Sequence, residues 1–239
     1  MKRYLNHIKL IAILLLAIVL YSFSNKRNEG RIVGKENHIE FLNNESLFIT
    51  YHTVNKLLKQ NADTLSGIAK DAIDLNKIEE RLNTNAMIKH ADVYIAVNGE
   101  VGAKIIQRTP IARVGGNNPY YIDDQGKMMP LSSVYSARVP LVTGNVKEKE
   151  LGKVFPLLEY IYNDEFLRKN VIGIEKSGND YELEFRSDDF VLRLGEADQL
   201  DKKFNNFKAF YQKGLKDKSL AAYKAVNLNF DNQVVCTKK

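Results

Sequence analysis

The chain has 239 residues, of which 44% are hydrophobic and 27% are charged, and its formal net charge is +6 at pH 7. This composition is ordinary for a globular protein that buries a core. The single cysteine, Cys236, excludes an internal disulfide framework and a paired-cysteine metal or redox motif. The positive charge comes from scattered lysines rather than a dense basic block with interleaved aromatics, which argues against a nucleic-acid partner.

The N-terminal segment predicts a membrane anchor. Residues 1–9 are basic, and the sixteen residues 10–25 carry no charge. As a helix they span roughly 24 Å, a little less than the ~30 Å hydrocarbon core, and flanking lysines can close the gap. The alternative is a cleaved signal peptide, since Ser22-Phe23-Ser24 is a weak cleavage site. We expect an uncleaved signal anchor with a cytoplasmic tail (1–9), a linker (26–34) and an exported remainder.

Residues 35–108 predict a β-α-α-β-β module. A short alternating strand at 38–41 precedes two helices, the first capped by Thr50 and the second starting at the capping-box-like Asn76-Lys-Ile-Glu79. Two alternating strands then flank Asn98-Gly99, the strongest short-range signal for a hairpin, because a type I′ turn needs positive φ at both positions. Such a module packs two helices on one face of its sheet.

Residues 109–239 predict a mixed β-domain with two or more helices. The expected strands are Ile111–Val114, Tyr120–Ile122, Arg138–Val142, Val171–Glu175, Tyr181–Phe185, Phe190–Leu194 and Val226–Phe230. The expected helices, at 153–170 and about 197–213, each carry a broad apolar face. The fold class is therefore α+β, consisting of one N-terminal transmembrane helix, the β-α-α-β-β module and the β-domain.

The residue patterns offer little support for catalysis or metal binding. The four histidines, His7, His38, His52 and His90, show no metal-ligand spacing. One enzymatic alternative is a membrane-anchored serine–lysine peptidase, with Ser132 or Ser133 as nucleophile and Lys147 as base. It lacks the Ser-x-Met order, and Lys147 lies in a charged run typical of solvated surface. We therefore expect no metal, no cofactor and no small-molecule substrate.

The closing strand is the best candidate for an interaction surface. It ends the chain and can therefore lie at a sheet edge, where unpaired N–H and C=O groups accept a partner's strand. The lysines around Lys213–Lys218 flank it and would suit an acidic partner segment. The residues alone leave open the alternative that this strand is only the last ladder of the domain and that the lysines are solvated.

Four segments resemble the bacterial cell-division family FtsQ/DivIB. They are IIQRTPIARV (105–114), YYIDDQGKMMPLS (120–132), YSARVPLVTGNV (135–146) and AVNLNFDNQVVC (225–236). The order of tail, membrane helix, β-α-α-β-β module and β-domain also matches, and in that family the module is a POTRA domain. One departure is Asn85-Ala86-Met87, where the family often has a proline before the second POTRA strand.

The resemblance implies a non-enzymatic divisome scaffold in the cytoplasmic membrane, concentrated at the septum, with both domains outside the cytoplasm. Members of the family bind FtsB and FtsL, which are small bitopic proteins, and link them to septal wall synthesis. Their POTRA module is associated with recruitment through upstream components such as FtsK. The contact with FtsB uses strand addition at the last strands of the β-domain, which points to residues 223–235. The implied contact residues are Tyr223, Asn227, Asn229, Phe230 and Gln233.

A second non-enzymatic hypothesis is that the protein is a POTRA-bearing component of export or outer-membrane assembly. Such proteins normally carry several POTRA modules or a long barrel after them, and neither pattern is visible between residues 109 and 239.

Overall fold

A computed structural model describes residues 2–29, 37–43, 48–59, 73–96, 100–144, 146, 150–230 and 233–239. The chain divides into two compact units, Met1–Gln107 and Arg108–Lys239. Both combine helices with β-sheet, which confirms the predicted α+β class.

The N-terminal helix α1 spans Lys2–Glu29. Its large apolar side chains from Leu10 to Tyr21 are each 55–76% exposed. The helix contains the predicted anchor and also the first residues of the predicted linker, whose remainder, 30–34, lies outside the described residues. Among the described residues no helix is both long and apolar enough to cross a membrane, so the predicted transmembrane segment is not supported by the structure.

The remaining elements of the first unit follow the predicted β-α-α-β-β order. They are β1 (Asn37–Phe41), α2 (Tyr51–Lys59), α3 (Leu75–Asn83), β2 (Ile88–Ile95) and β3 (Val101–Gln107). The central strand is β3, which is parallel to β1 and antiparallel to β2. Val54 and Leu58 of α2 and Ile78 and Leu82 of α3 form one core with the buried face of the sheet.

The caps of the two helices show where the sequence prediction holds and where it fails. Thr50 caps α2 as predicted, since its Oγ1 accepts a hydrogen bond from the Thr53 N–H at 3.1 Å. The predicted start of α3 at Asn76 is wrong, because Asp74 is the cap and accepts from the Lys77 N–H at 3.2 Å. The predicted turn at Asn98-Gly99 lies outside the described residues, although β2 and β3 on either side do pair.

In its described residues, the second unit contains one nine-stranded sheet, three α-helices and one short 3₁₀ helix, Leu220–Ala222. Its elements are β4 (Pro110–Val114), β5 (Tyr120–Asp123), β6 (Met128–Pro130), β7 (Leu141–Gly144), α4 (Leu151–Asn163), α5 (Glu165–Asn170), β8 (Val171–Ser177), β9 (Asp180–Phe185), β10 (Val191–Gly195), α6 (Leu200–Lys216), β11 (Tyr223–Asn227) and β12 (Val235–Lys238). The strand order is β12-β11-β10-β9-β8-β7-β4-β5-β6.

The core of this unit lies on one face of the sheet. Strand register aligns buried residues across six neighbouring strands, namely Val114, Val142, Ile174, Leu183, Leu192 and Val226. Leu157 of α4 and Phe204 and Phe207 of α6 belong to the same core. On the opposite face, the adjacent register row includes Leu141, which is 42% exposed, and Glu184, which is also exposed.

Strand β7 joins two groups of strands that are distant in the chain order. It pairs with β4 through only two residue pairs, Arg113 with Leu141 and Val114 with Val142, and with β8 through four. We call the β4–β7 pairing the seam. The connection from β6 back to β7, residues 131–140, passes over Tyr121, whose hydroxyl oxygen accepts from the Ala137 N–H at 3.1 Å.

Two predicted helix boundaries in this unit are wrong. The helix expected over 153–170 breaks at Asp164, whose extended backbone (φ −92°, ψ 118°) ends α4 and whose carboxylate caps α5 by accepting from the Leu167 N–H. A helix expected from Ala197 begins at Leu200, because Gln199 before it has a left-handed backbone with φ 46°. In both cases a local backbone geometry overrides the continuous apolar pattern.

Three strand predictions in this unit also need correction. The strand expected over Arg138–Val142 starts only at Leu141, and Met128–Pro130 forms a strand that the sequence did not predict. The closing strand, expected over Val226–Phe230, instead spans Tyr223–Asn227, and a further strand, Val235–Lys238, follows it.

Candidate functional site

The last two strands build one edge of the nine-stranded sheet. Strand β10 and strand β11 are parallel, so the chain must cross back between them, and α6 provides that crossing. Strand β12 then turns back antiparallel to β11, with Val226 opposite Cys236 and Asn227 opposite Val235. Since β12 comes last in the strand order, its outer side carries no further strand of the described sheet.

Strand β12 is short, with four residues, and most of its side chains are exposed. Cys236 faces the core and is half-buried, which raises the pKa of its thiol, whereas Val235 is 39% exposed and Thr237 and Lys238 are also exposed. An edge strand of this kind presents backbone N–H and C=O groups that can pair with a strand from another chain. The side chains that would flank such a strand are those of β12 and of the connection before it.

Two of the predicted contact residues already have partners inside the domain. Tyr223 starts β11, is half-buried and packs its ring against Phe210 at a centroid distance of 5.6 Å. Asn227 ends β11, and its Oδ1 accepts from the Asn229 N–H at 2.9 Å. This bond turns the backbone out of the strand direction, which explains why β11 stops at Asn227 rather than continuing to Phe230.

The other three predicted residues lie together in the β11–β12 connection. Asn229, Phe230 and Gln233 are all exposed, and Phe230 is 51% exposed. Asn229 is positioned by Gly195 at the end of β10, where φ is +72° and a Cβ atom would come within 1.8 Å of the Asn229 Oδ1. Gly195 therefore serves both the left-handed backbone and the close approach of Asn229.

These three residues line a cavity of about 350 Å³, which we call the edge cavity. It lies where β10 and β11 end and where α6 begins, and its other walls carry both carboxylates and lysines. Asp180, Glu196 and Asp198 supply the carboxylates, and Lys202 and Lys203 supply the ammonium groups. The hydrogen bond from Lys203 lowers the pKa of Asp198, so this carboxylate is ionised at neutral pH.

The sequence prediction missed the outermost residues of the edge. Thr237 and Lys238 belong to β12, but they were not among the predicted contact residues. The alternation from Val235 to Thr237, with Cys236 between them facing the core, is the signal that could have found them. The alternation covers only Val235–Thr237, one full period, because Lys238 is exposed as well, so the signal is weak.

Of the residues considered for catalysis, Ser132 has a structural role, Ser133 is exposed and Lys147 is not described. In the nearby β5–β6 turn, Asp123 is also structural: it is buried, forms an ion pair with Arg108 at 2.6 Å and accepts from the Gln125 and Lys127 N–H groups. Ser132 Oγ accepts from the Val134 N–H at 3.1 Å, and Lys147, its proposed base, lies outside the described residues. Within the described ranges, no group of three or more His, Cys, Asp or Glu residues could hold a metal ion.

Comparison with known proteins identifies both units. Residues 109–237 match the family model described as FtsQ/DivIB, C-terminal related, and this match covers more than half of the chain. Residues 42–106 match the model of a POTRA-like domain. No curated protein matches the chain.

Proposed function

Because the chain belongs to the FtsQ/DivIB family, we propose that it is a non-enzymatic scaffold of the bacterial cell-division machinery. The scaffold binds FtsB- and FtsL-type bitopic proteins and links early division components to septal wall synthesis. The observation that carries the proposal is the exposed edge strand β12 within the region that matches the family.

The proposed mode of binding is addition of a partner strand to β12. Backbone hydrogen bonds supply affinity in such complexes, and the flanking side chains select the partner. Residues 223–235, with Tyr223, Asn227, Asn229, Phe230 and Gln233, are the proposed contact set. The fold suggests extending it to Thr237 and Lys238. Tyr223 and Asn227 would act mainly by holding β11 in place, while the exposed residues would touch the partner.

Proline substitution tests strand addition directly. In an antiparallel ladder, neighbouring residues direct their backbone groups to opposite sides, so one of Cys236 and Thr237 points toward β11 and the other points outward. We expect the proline variant at the residue whose N–H points outward to melt at the same temperature as the unaltered protein. This variant should no longer capture the FtsB-like partner. The inward variant should lower the melting temperature as well, because it breaks the β11–β12 ladder.

Two variants away from β12, Thr143→Pro and Asn205→Ala, serve as controls for this experiment. Asn205→Ala, on the exposed side of α6, should leave both stability and capture unchanged. Thr143→Pro, in the interior strand β7, should destabilise the fold and show what general damage looks like. Full capture of the partner by both the Cys236→Pro and Thr237→Pro variants would rule out strand addition at β12.

We further propose that the protein acts at the cytoplasmic membrane and concentrates at the septum, with its N-terminus in the cytoplasm. Support comes from the uncharged segment 10–25 and from the exposed apolar side chains of Leu10–Tyr21. A fluorescent fusion of the full chain should form a band at midcell in dividing cells. An even signal around the envelope, or release of the fusion into the soluble fraction, would contradict this placement.

A role for the POTRA-like domain in recruitment, through upstream components such as FtsK, belongs to the same proposal. Deleting residues 42–106 should abolish the midcell band. The remaining second unit should still capture the FtsB-like partner at β12. The export or assembly alternative predicts instead that secretion, rather than septation, fails when the chain is depleted.

A further inference from the structure

The edge cavity adjoins the start of β12 and favours a positively charged guest. Asp180 and Glu196 are both exposed, and they lie side by side because their neighbours Tyr181 and Gly195 are paired across β9 and β10. In the part of the chain that the structure describes, neither carboxylate forms an ion pair. The cavity therefore presents two carboxylates without a bound counter-charge.

The lysines of the cavity do not cancel this charge. The Lys203 ammonium donates to the Asp198 carboxylate and, at 2.8 Å, to the Glu196 backbone oxygen, so it is already engaged. Among the described residues of the lining, three carboxylates thus face two lysines. A cation that enters the cavity would meet a net negative environment.

Phe230 adds a second feature that suits a cationic side chain. Half of its surface is exposed, and it lines the same cavity as Asp180 and Glu196. An aromatic ring beside carboxylates can bind the apolar stem and the charged head of a lysine or arginine together. An acidic or a purely aliphatic guest would satisfy only one part of this lining.

The other end of β12 has the opposite charge. Lys238 ends the strand and pairs with Tyr223, next to Lys224 on β11, and both lysines are exposed. Lys213 and Lys216, in the last turn of α6, are exposed as well. Among the described residues only Lys239 at this end forms an ion pair, with Asp189 at 3.2 Å. The two ends of β12, Val235 and Lys238, are roughly 10 Å apart along the strand.

We propose that this edge selects its partner by charge polarity: the added strand places a lysine or arginine in the edge cavity and an acidic residue against Lys224 and Lys238. The inference rests on the proposed strand addition and specifies the chemistry of the strand that is added. Backbone pairing alone accepts many sequences, so opposite charges at the two ends would supply both the choice of partner and its direction along β12.

Charge reversal at each end tests the proposal on the full-length chain. The probe is the fluorescently labelled extracytoplasmic segment of the FtsB-like protein from the same genome. We expect Glu196→Lys and Lys238→Glu each to raise the Kd about 10-fold at low salt, with a smaller effect at high salt. Two matched controls are Glu175→Lys, at an exposed position of β8, and Lys127→Glu, beside the opposite edge of the sheet. Their Kd values should stay within about twofold of that of the unaltered protein.

Double-mutant cycles give the decisive readout. Reversing each lysine and arginine of the probe in turn should identify one residue whose effect is coupled to Glu196 and is independent of Glu175. The neutral variants Glu196→Gln and Phe230→Leu should weaken binding less than the reversal does, without a change in melting temperature. Absence of any such coupling, or equal weakening by Glu175→Lys, would overturn the inference.

The outcomes separate this inference from the proposed function. If the proline variants of β12 lose the probe but the charge-reversed variants bind it normally, strand addition stands and the charge polarity is wrong. If the proline variants bind normally, or the unaltered chain fails to bind the probe, strand addition itself is wrong and the inference falls with it.

Discussion

The two edges of the nine-stranded sheet are built in opposite ways. At one edge, β6 has three residues, ends in Pro130 and buries Met129 completely, and the following connection is held over Tyr121. At the other edge, β12 exposes Val235, Thr237 and Lys238. Short length, a proline and a covering loop are the usual means by which a protein prevents an edge from pairing with another chain.

The exposure of β12 is therefore not a general property of the edges of this sheet. The same domain places a proline in the edge strand β6 and a connection over the neighbouring strand β5, whereas β12 contains no proline and exposes Val235, Thr237 and Lys238. An unprotected edge strand is an aggregation risk, and keeping one is consistent with a partner that covers it. Matched substitutions at the two edges should therefore differ in their effects on stability and accessibility.

The largest expected difference is in stability. Met129→Ala should lower the free energy of unfolding by about 3 kcal/mol, because the side chain is fully buried and its removal leaves a cavity. Val235→Ala should cost less than about 1 kcal/mol, because that side chain is 39% exposed. Urea unfolding of the two variants measures both values. Similar costs at the two positions would show that β12 is as much a structural edge as β6.

A smaller difference is expected for the polar contacts that hold each edge. Tyr121→Phe removes the oxygen that accepts from the Ala137 N–H, and we expect a loss of about 1 kcal/mol, because the residue is buried. Asp189→Asn weakens the ion pair with Lys239, which is exposed on both sides, and should cost about 0.5 kcal/mol or less. Thermal unfolding at low and high salt separates the two, since only the ion pair should be sensitive to salt.

The smallest effect concerns accessibility rather than stability. Cys236 is the only cysteine, and burial raises the pKa of its thiol, so its alkylation should be slow at neutral pH and should accelerate as the pH rises. Addition of the FtsB-like partner should slow this reaction several-fold, because a strand on β12 would cover the approach. Met128→Cys in a Cys236→Ser background places a thiol on β6, and its alkylation should not respond to the partner. Equal protection at both positions would remove the contrast between the edges.

The strongly periodic parts of the fold were predictable from the sequence. Helices α2 and α3 and the β2–β3 pairing of the first unit follow from apolar spacing, the Thr50 cap and the strand alternation. The strands from β8 to β10 were predicted as well, and the alternation is clearest in β9, where Tyr181, Leu183 and Phe185 are buried. Local pattern and tertiary packing agree in these elements.

The errors occur where a single residue decides the backbone. Asp164 breaks an otherwise continuous apolar helix because its carboxylate caps a new one and also binds the Lys208 ammonium, a contact 44 residues away. Asn227 ends β11 by bonding to the Asn229 N–H, so alternation through Phe230 did not become a strand. Such side chain–backbone bonds compete with regular structure and leave no periodic signal.

The candidate site was only partly accessible to sequence reasoning. The resemblance located the edge near residues 223–235, but the register that makes β12 the outermost strand depends on pairings over the whole sheet. The edge cavity likewise joins Asp180 and Glu196 to the β11–β12 connection, and no local pattern links these residues. A site assembled from distant segments requires the structure.

The seam between β4 and β7 has a consequence for how the second unit assembles. Only two residue pairs join β4 to β7, and the pairing is parallel and separated by a long stretch of chain. Closing such a loop costs entropy before the pairing can repay it, so the β4–β6 hairpins and the strands from β8 onward should each form ahead of the junction. The ladder with the fewest residue pairs in the described sheet would then also be the last to form.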